Sequence, residues 1–389
     1  MKLYAFVLLT FLFFVQTAQA ATWLHITDDP WAGFNGQLTY AVTSERARPA
    51  AGDIDNDGDV DVVVGAYDGL TTIYWNDGDG TFTEDFNTLA AFDVGFLAVP
   101  TLVDVNGDDL LDLVIGASDG TLTLLIAESD RTFTLSAALD AVNVFAFSVP
   151  WGADINEDGA PDVLVGDIAG SVKLFMNNGI GTAFTENTTL LAGIDADDLE
   201  DLKSDSVPIV ADITCDGLQD VVVGSSDGTL ALFQQTESDT FEDQGALTAD
   251  GEVIDVGDYA IPFPVDTNDD GCTDLLVGTD DGLVFLYVNA DDGTFVEDTT
   301  SLGSPDLGAY AAPTANDFDD DGDDDVLIGA YDGTLSVFWN NGSGFFDETE
   351  TAYAGIDVGD YSVPAAVDLD QNGFNDVMMG NTEGTLSLY

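Results

Sequence analysis

Oxygen donors recur along this chain at a spacing able to wrap a cation. From Asp53 the sequence reads Asp-Ile-Asp-Asn-Asp-Gly-Asp-Val-Asp, with carboxylates at positions one, three, five and nine and a glycine at six. Asp53, Asp55, Asp57 and Asp61 return as Asp104, Asn106, Asp108 and Asp112, as Asp154, Asn156, Asp158 and Asp162, and as Asp212, Thr214, Asp216 and Asp220. Three further sets are Asp266, Asn268, Asp270 and Asp274; Asp317, Asp319, Asp321 and Asp325; and Asp368, Asp370, Asn372 and Asp376. Hard oxygens crowded into a tight loop suit calcium, which takes about six to eight of them. Magnesium demands near-ideal octahedral geometry and holds its waters, and zinc would want a His or Cys where these loops have none. Without an ion, three or four carboxylates within nine residues would repel one another strongly. The expectation is calcium in up to seven loops. It should bind most tightly in the first and sixth, with four acids each, and most weakly in the fourth, where Thr214 offers one short hydroxyl.

Other chemistry is sparse. Histidine occurs once, at His25, and no Gly-x-Ser-x-Gly elbow, phosphate loop or nucleotide fingerprint is present. Among 389 residues, 74 Asp and Glu face 6 Lys and Arg, for a formal charge of -68. A surface this negative repels nucleic-acid phosphates and anionic lipid headgroups. It also opposes lyase chemistry on uronates, which wants cationic groups beside the sugar carboxylate unless an open calcium site replaces them. The composition is still that of a folded chain, since 45% of the residues are apolar.

The elements that must carry the loops are legible from their register. The loops start at 53, 104, 154, 212, 266, 317 and 368. Four residues before each stands a proline, from Pro49 to Pro364, and twelve and sixteen residues after each start stand glycines, from Gly65 and Gly69 to Gly380 and Gly384. With glycine at roughly one residue in ten, seven hits in one column have a chance probability on the order of one in ten million. Between loop and first glycine runs a short apolar stretch such as Val62-Val63-Val64 or Leu275-Leu276-Val277, the pattern of a strand covered on both faces. Asp-Gly pairs such as Asp68-Gly69 and Asp332-Gly333 then turn the chain into a second strand. Repeats of 50 to 58 residues built this way predict an all-β fold, a seven-bladed β-propeller of four-stranded antiparallel blades.

The two ends complement each other. The seventh repeat stops at Tyr389 without an outer strand, and the segment before the first loop has no loop of its own. A strand around Gln37 to Thr43 is expected to complete the last blade and close the ring. Ahead of it, Lys2, the apolar run Leu3 to Val15 and Ala18-Gln19-Ala20 read as a secretory signal peptide over residues 1–20, leaving residues 21–389 as the propeller. A membrane anchor is the weaker reading, because the apolar run is shorter than the roughly 20 residues a spanning helix needs.

These repeats resemble the FG-GAP or VCBS-type repeat of integrin α-chain propellers and many secreted proteins. Val-Gly-Ala-Tyr-Asp-Gly (64–69) and Ile-Gly-Ala-Tyr-Asp-Gly (328–333) are similar to its Gly-Ala-Pro half, with tyrosine for proline. The resemblance covers essentially all of residues 21–389. It implies calcium in the loop joining the first and second strands of each blade, with a backbone carbonyl added at position seven. Thr214 at position three, Asp109 in place of glycine at six, and Asn372 at position five depart from its pattern. Its members include adhesion receptors, lectin-like binders and some polysaccharide lyases, so it leaves the ligand open.

Two further features bear on partners. Three residues before the loop proline stand Phe147, Tyr259, Tyr310 and Tyr361, on the face opposite the loops, where aromatic rings could stack on a sugar or a partner side chain or could simply pack between blades. Cys215 and Cys272 occupy positions four and seven of consecutive loops, and in an oxidising compartment they could form a disulfide. The resulting expectation is a secreted, extracellular or periplasmic monomer that recognises a glycan or protein ligand without catalysis. The alternative is a calcium-dependent polysaccharide lyase or other carbohydrate-active enzyme on the same scaffold.

Overall fold

A computed structural model of the chain describes residues 38–41, 48–187, 207–348 and 363–388, apart from short stretches at 79–80, 130, 145, 157, 168–171, 238–239, 291–292, 304, 319–320, 343–344, 370–374 and 381–384. The described residues form seven sheets, antiparallel but for one outer pairing, and no helix. The first four blades and the sixth run outward in chain order. The first has strands Arg48–Gly52, Asp61–Gly65, Thr71–Asn76 and Phe82–Asp85, hydrogen-bonded in that sequence. The acidic loop joins the innermost strand to the second, and the Asp-Gly turn joins the second to the third at the opposite end.

The ring closes as the register predicts. Leu38–Ala41 pairs antiparallel with Thr385–Leu388, Leu38 opposite Leu388 and Ala41 opposite Thr385. The first described strand is therefore the outer strand of the last blade. The fifth blade departs from four strands. Its outer strand Phe295–Glu297 is extended by Thr248–Ala249, which runs parallel to it, and by Glu252–Val253.

Apolar alternation explains how the blades stack. In the second strand of the first blade every residue is buried. Val62 and Val64 pack with Tyr74 against Met378 and Leu386 of the seventh blade, while Val63 and Ile73 pack against Leu113, Ile115 and Leu125 of the second. A strand read as uninterrupted apolar sequence thus serves two interfaces, and each fully buried valine contributes about 1.5–3 kcal/mol. The first glycine column has a steric origin at these same seams. A Cβ on Gly65 would stand 2.3 Å from the Ala98 carbonyl oxygen and 2.7 Å from Pro100 Cδ of the next blade. Gly116, Gly224 and Gly278 face the corresponding backbone and proline of their neighbours equally closely. The proline and glycine columns are two halves of one contact.

Candidate metal centres

Within each loop the backbone turns around the first aspartate. In the first blade Asp57 and Gly58 N–H groups donate to Asp53 Oδ1 and Oδ2 at 3.1 and 3.0 Å, and Asp55 Oδ1 accepts from Asp57 N at 3.2 Å. Positions four and six both take left-handed φ, 57° at Asn56 and 99° at Gly58. Corresponding bonds to Asp154, Asp212, Asp266 and Asp317 lie between 2.9 and 3.2 Å. The second loop keeps this shape with its glycine moved. Gly107 supplies the left-handed residue at position four (φ 75°), and Asp109 itself adopts φ 67° at position six, where its N–H still reaches Asp104 Oδ2 at 2.9 Å. Aspartate tolerates this region better than most residues, so the departure from glycine leaves the geometry intact.

The ninth position does more than offer a ligand. Asp61 is fully buried, and its two oxygens accept from Ile54 N at 3.1 Å and Asn76 N at 2.8 Å. It ties the loop to the third strand of its own blade. Asp112, Asp220, Asp274 and Asp325 repeat both bonds. Burial pushes the Asp61 and Asp162 carboxyls up to about 7 and those of Asp112 and Asp220 up to about 6, overcoming the opposing pull of their N–H partners.

The donor set fits a hard divalent cation. Oxygens of Asp53, Asp55 and Asp61 lie within 4.8 Å of one another, the span of ligands placed about 2.4 Å from a common centre. Asn106 Oδ1, at position three of the second loop, is buried and accepts no hydrogen bond. A buried acceptor left in that state is costly, and a cation would satisfy it. The donors Asp53, Asp55, Asp57, Asp104, Asn106, Asp108, Asp154, Asn156, Asp158, Asp212, Thr214, Asp216, Asp266, Asn268, Asp270, Asp317, Asp321 and Asp368 belong to loops on one face of the ring. Asp319, Asp370 and Asn372 lie outside the described residues.

The first loop holds a cationic side chain as well. Arg131, from the outer hairpin turn of the second blade, reaches across the seam so that Nε bonds Asp55 Oδ2 and a terminal nitrogen stands 3.0 Å from Asp57 Oδ2. Its guanidinium carbon lies 4.7 Å from the Trp75 ring centroid. Four carboxylates in this loop are therefore partly neutralised from within the protein.

A seam amide was missed in the sequence. Twenty-three residues after the loop start stand Asn76, Asn177, Gln235, Asn289 and Asn340. Each donates across to a carbonyl of another blade's loop: Leu369 at 2.6 Å, Val105 at 2.7 Å, Ile155 and Ile213 at 2.8 Å, and Thr267 at 2.9 Å. The column itself was the signal that could have revealed them. The second blade has Ala127 there, and its seam is the one that Arg131 bridges.

The remaining expected sites are distributed as follows. Cys215 and Cys272 form a disulfide between the fourth and fifth loops, with Cα atoms 5.4 Å apart. Tyr310 is buried, Phe147 and Tyr259 are half-buried, and Tyr361 is outside the described residues. The three described residues have left-handed φ near 55°, as does Leu97, and their N–H groups bond carbonyls in the Asp-Gly turns at 2.8–3.2 Å. Backbone anchoring accounts for that column. More open aromatic surface on this face comes from Phe96, 58% exposed and 5.8 Å from the Tyr67 ring, and from Tyr331. His25 and residues 1–20 lie outside the described residues. Among the described residues no helix is long and apolar enough to cross a membrane.

Solved structures share this architecture. An Agrocybe aegerita lectin, described for its specific recognition of non-reducing terminal N-acetylglucosamine, is 19% identical with a TM-score of 0.62 over 85% of this chain and 88% of its own. The BP39L lectin of Burkholderia pseudomallei is 16% identical with a TM-score of 0.64 over 88% and 94%. BBS1N, solved in complex with ARL6DN, is 14% identical with a TM-score of 0.53 over 94% and 96%. No curated protein sequence matches the chain. The FG-GAP-like repeat matches residues 53–115, 154–223, 266–328 and 317–379, the stretches that carry the loops and doubly covered strands described above, and the chain belongs to that family.

Proposed function

We propose that this protein is a secreted, calcium-loaded propeller that binds carbohydrate outside the cell as a recognition module and performs no chemistry on it. The observation that carries the reading is the extent of the likeness to two lectins, one fungal and one bacterial, each aligned over at least 85% of this chain. Secretion is supported by the apolar Leu3 to Val15 segment before Ala18-Gln19-Ala20 and by the disulfide, which belongs to an oxidising compartment. Calcium is supported by the all-oxygen loops, the close carboxylates of the first and the buried unsatisfied Asn106 oxygen of the second. A formal charge of -68 favours neutral sugars over uronates and sialylated chains.

A glycan array probed with the full chain, in calcium and again in EDTA, tests this directly. Saturable binding to neutral glycans that weakens in EDTA is expected. Absence of glycan binding in calcium would overturn the carbohydrate reading. Release of unsaturated oligosaccharides would replace it with the lyase.

A further inference from the structure

The seam between the fourth and fifth blades is built unlike the others. The spacing between the fourth and fifth loops is 54 residues, against 50 or 51 in four of the other five intervals. The outer hairpin of the fourth blade, Leu230–Glu237 with Thr240–Ala246, is long and shifts register after Leu232 and again after Gln235. The chain then continues into Thr248–Ala249, which joins the fifth blade beside Phe295. Cys215–Cys272 and the bond from Asn289 Nδ2 to the Ile213 carbonyl at 2.8 Å fasten the same two blades on the loop face.

A half-open cleft of about 200 Å³ lies at this seam. Its apolar lining includes Leu232 and Leu247, both about 95% buried. Its walls are neutral and polar. Gln234 Nε2 stands 3.4 Å from both Thr214 Oγ1 and Asp216 Oδ2, and Gln244 Nε2 donates to Gln234 Oε1 at 3.2 Å, so the amides are oriented before any ligand arrives. Gly293 of the fifth blade closes one side. Thr214 is the residue that interrupts the acidic pattern of the fourth loop, and the interruption puts a hydroxyl on this wall.

We propose that this cavity is a binding site for one neutral sugar ring, the terminal hexose or N-acetylhexosamine of a glycan. The proposal rests on the carbohydrate reading above and assigns that reading a place. The chemistry matches a pyranose, whose apolar C–H face can lie on the leucines while its hydroxyls exchange hydrogen bonds with amide and hydroxyl groups able to donate and accept. The volume falls below the roughly 300 Å³ at which drug-sized pockets begin, which limits the occupant to a single ring. The disulfide and the seam bonds hold both walls rigid, which lowers the ordering cost of binding.

Ligand-observed NMR on the full disulfide-bonded chain tests this with methyl glycosides of glucose, galactose, N-acetylglucosamine and N-acetylgalactosamine as probes and glucuronate as the charged control. At least one neutral probe should bind and glucuronate should not. Gln234→Ala and Gln244→Ala should each weaken binding by about tenfold, the effect of one well-made hydrogen bond. Ala246→Trp, which puts an indole at the mouth from an exposed position, should abolish binding. Melting temperatures identify any variant that fails to fold, and because Gln244 and Ala246 are exposed, their variants keep the test open if Gln234→Ala unfolds. Binding of a neutral sugar that all three folded variants retain would overturn this site and leave the carbohydrate reading standing. Failure of the wild type on every neutral probe and on the array would overturn both, and a preference for glucuronate would overturn the neutral-ring assignment.

Discussion

At the scale of single residues, the loops join two demands that the sequence pattern shows as one. Asp61 and its counterparts read as ligands, yet Asp61, Asp112, Asp220, Asp274 and Asp325 each also clamp their loop to a strand through two backbone N–H groups, and that second duty buries them. The cost depends on pH. Because burial raises these carboxyls in the folded chain, the folded protein holds their protons more tightly than the unfolded one, where they titrate near 4. Without divalent ions, stability should therefore be highest below that range and fall as pH rises through about 6 to 7. Melting in EDTA is expected to occur at a higher temperature at pH 5 than at pH 8, and millimolar calcium should narrow the gap by favouring the ionised form. The reverse order in EDTA would contradict the burial argument. Arg131 modifies the expectation drawn from carboxylate counts, since an ion entering the first loop must compete with a guanidinium. Arg131→Gln should tighten terbium binding there severalfold, read by Trp75-sensitised luminescence with Trp75→Phe as the control. In EDTA it should cost about 1–2 kcal/mol of stability, because the guanidinium is 40% exposed while the Asp55 side chain it bonds is only 7% exposed. Unchanged terbium affinity would show that Arg131 does not compete.

Between neighbouring elements, the seam amides hold each loop to another blade. Asn177 and Asn178 make a controlled comparison because they are adjacent and differ in placement. Asn177 is buried and donates to the Val105 carbonyl at 2.7 Å and the Pro161 carbonyl at 2.9 Å, while Asn178 is exposed and bonds Thr182 in its own turn. Asn177→Ala should destabilise the protein by about 2–3 kcal/mol, because two buried carbonyls lose their donor. Asn178→Ala should cost under about 0.5 kcal/mol. Equal losses in denaturant titrations would show that the cross-blade bond has no special weight. The contrast also shows where sequence reading stops. Strand order, the doubly covered second strands and the Pro/Gly columns were legible because each follows from a local period. The Asn column was visible too, but an amide at a strand end has no distinctive local signature, and its partner lies in another repeat. Arg131 and the two-residue strand Thr248–Ala249 left no periodic trace at all.

For the whole molecule, closure by Leu38–Ala41 makes the N-terminal segment part of the ring. Deleting residues 21–43 should lower the melting temperature of the entire propeller in one transition, since it bares the edge of Thr385–Leu388 and uncovers the seventh blade. A variant that melts like wild type would refute this. The prediction of an N-terminal closing strand came from counting which repeat lacked an outer strand. The sugar-sized cavity escaped such counting, because it arises where the repeat spacing fails, and a period carries no information about its own exceptions.

The pairing of Leu38 with Leu388 also sets a schedule for biosynthesis. A ribosome delivers the chain from its N-terminus at about 5–20 residues per second, so the strand needed last is made first and waits on the order of tens of seconds for its partner. During that wait an unpaired edge would ordinarily invite neighbouring nascent chains to join it. The 74 acidic residues would meanwhile keep such chains apart.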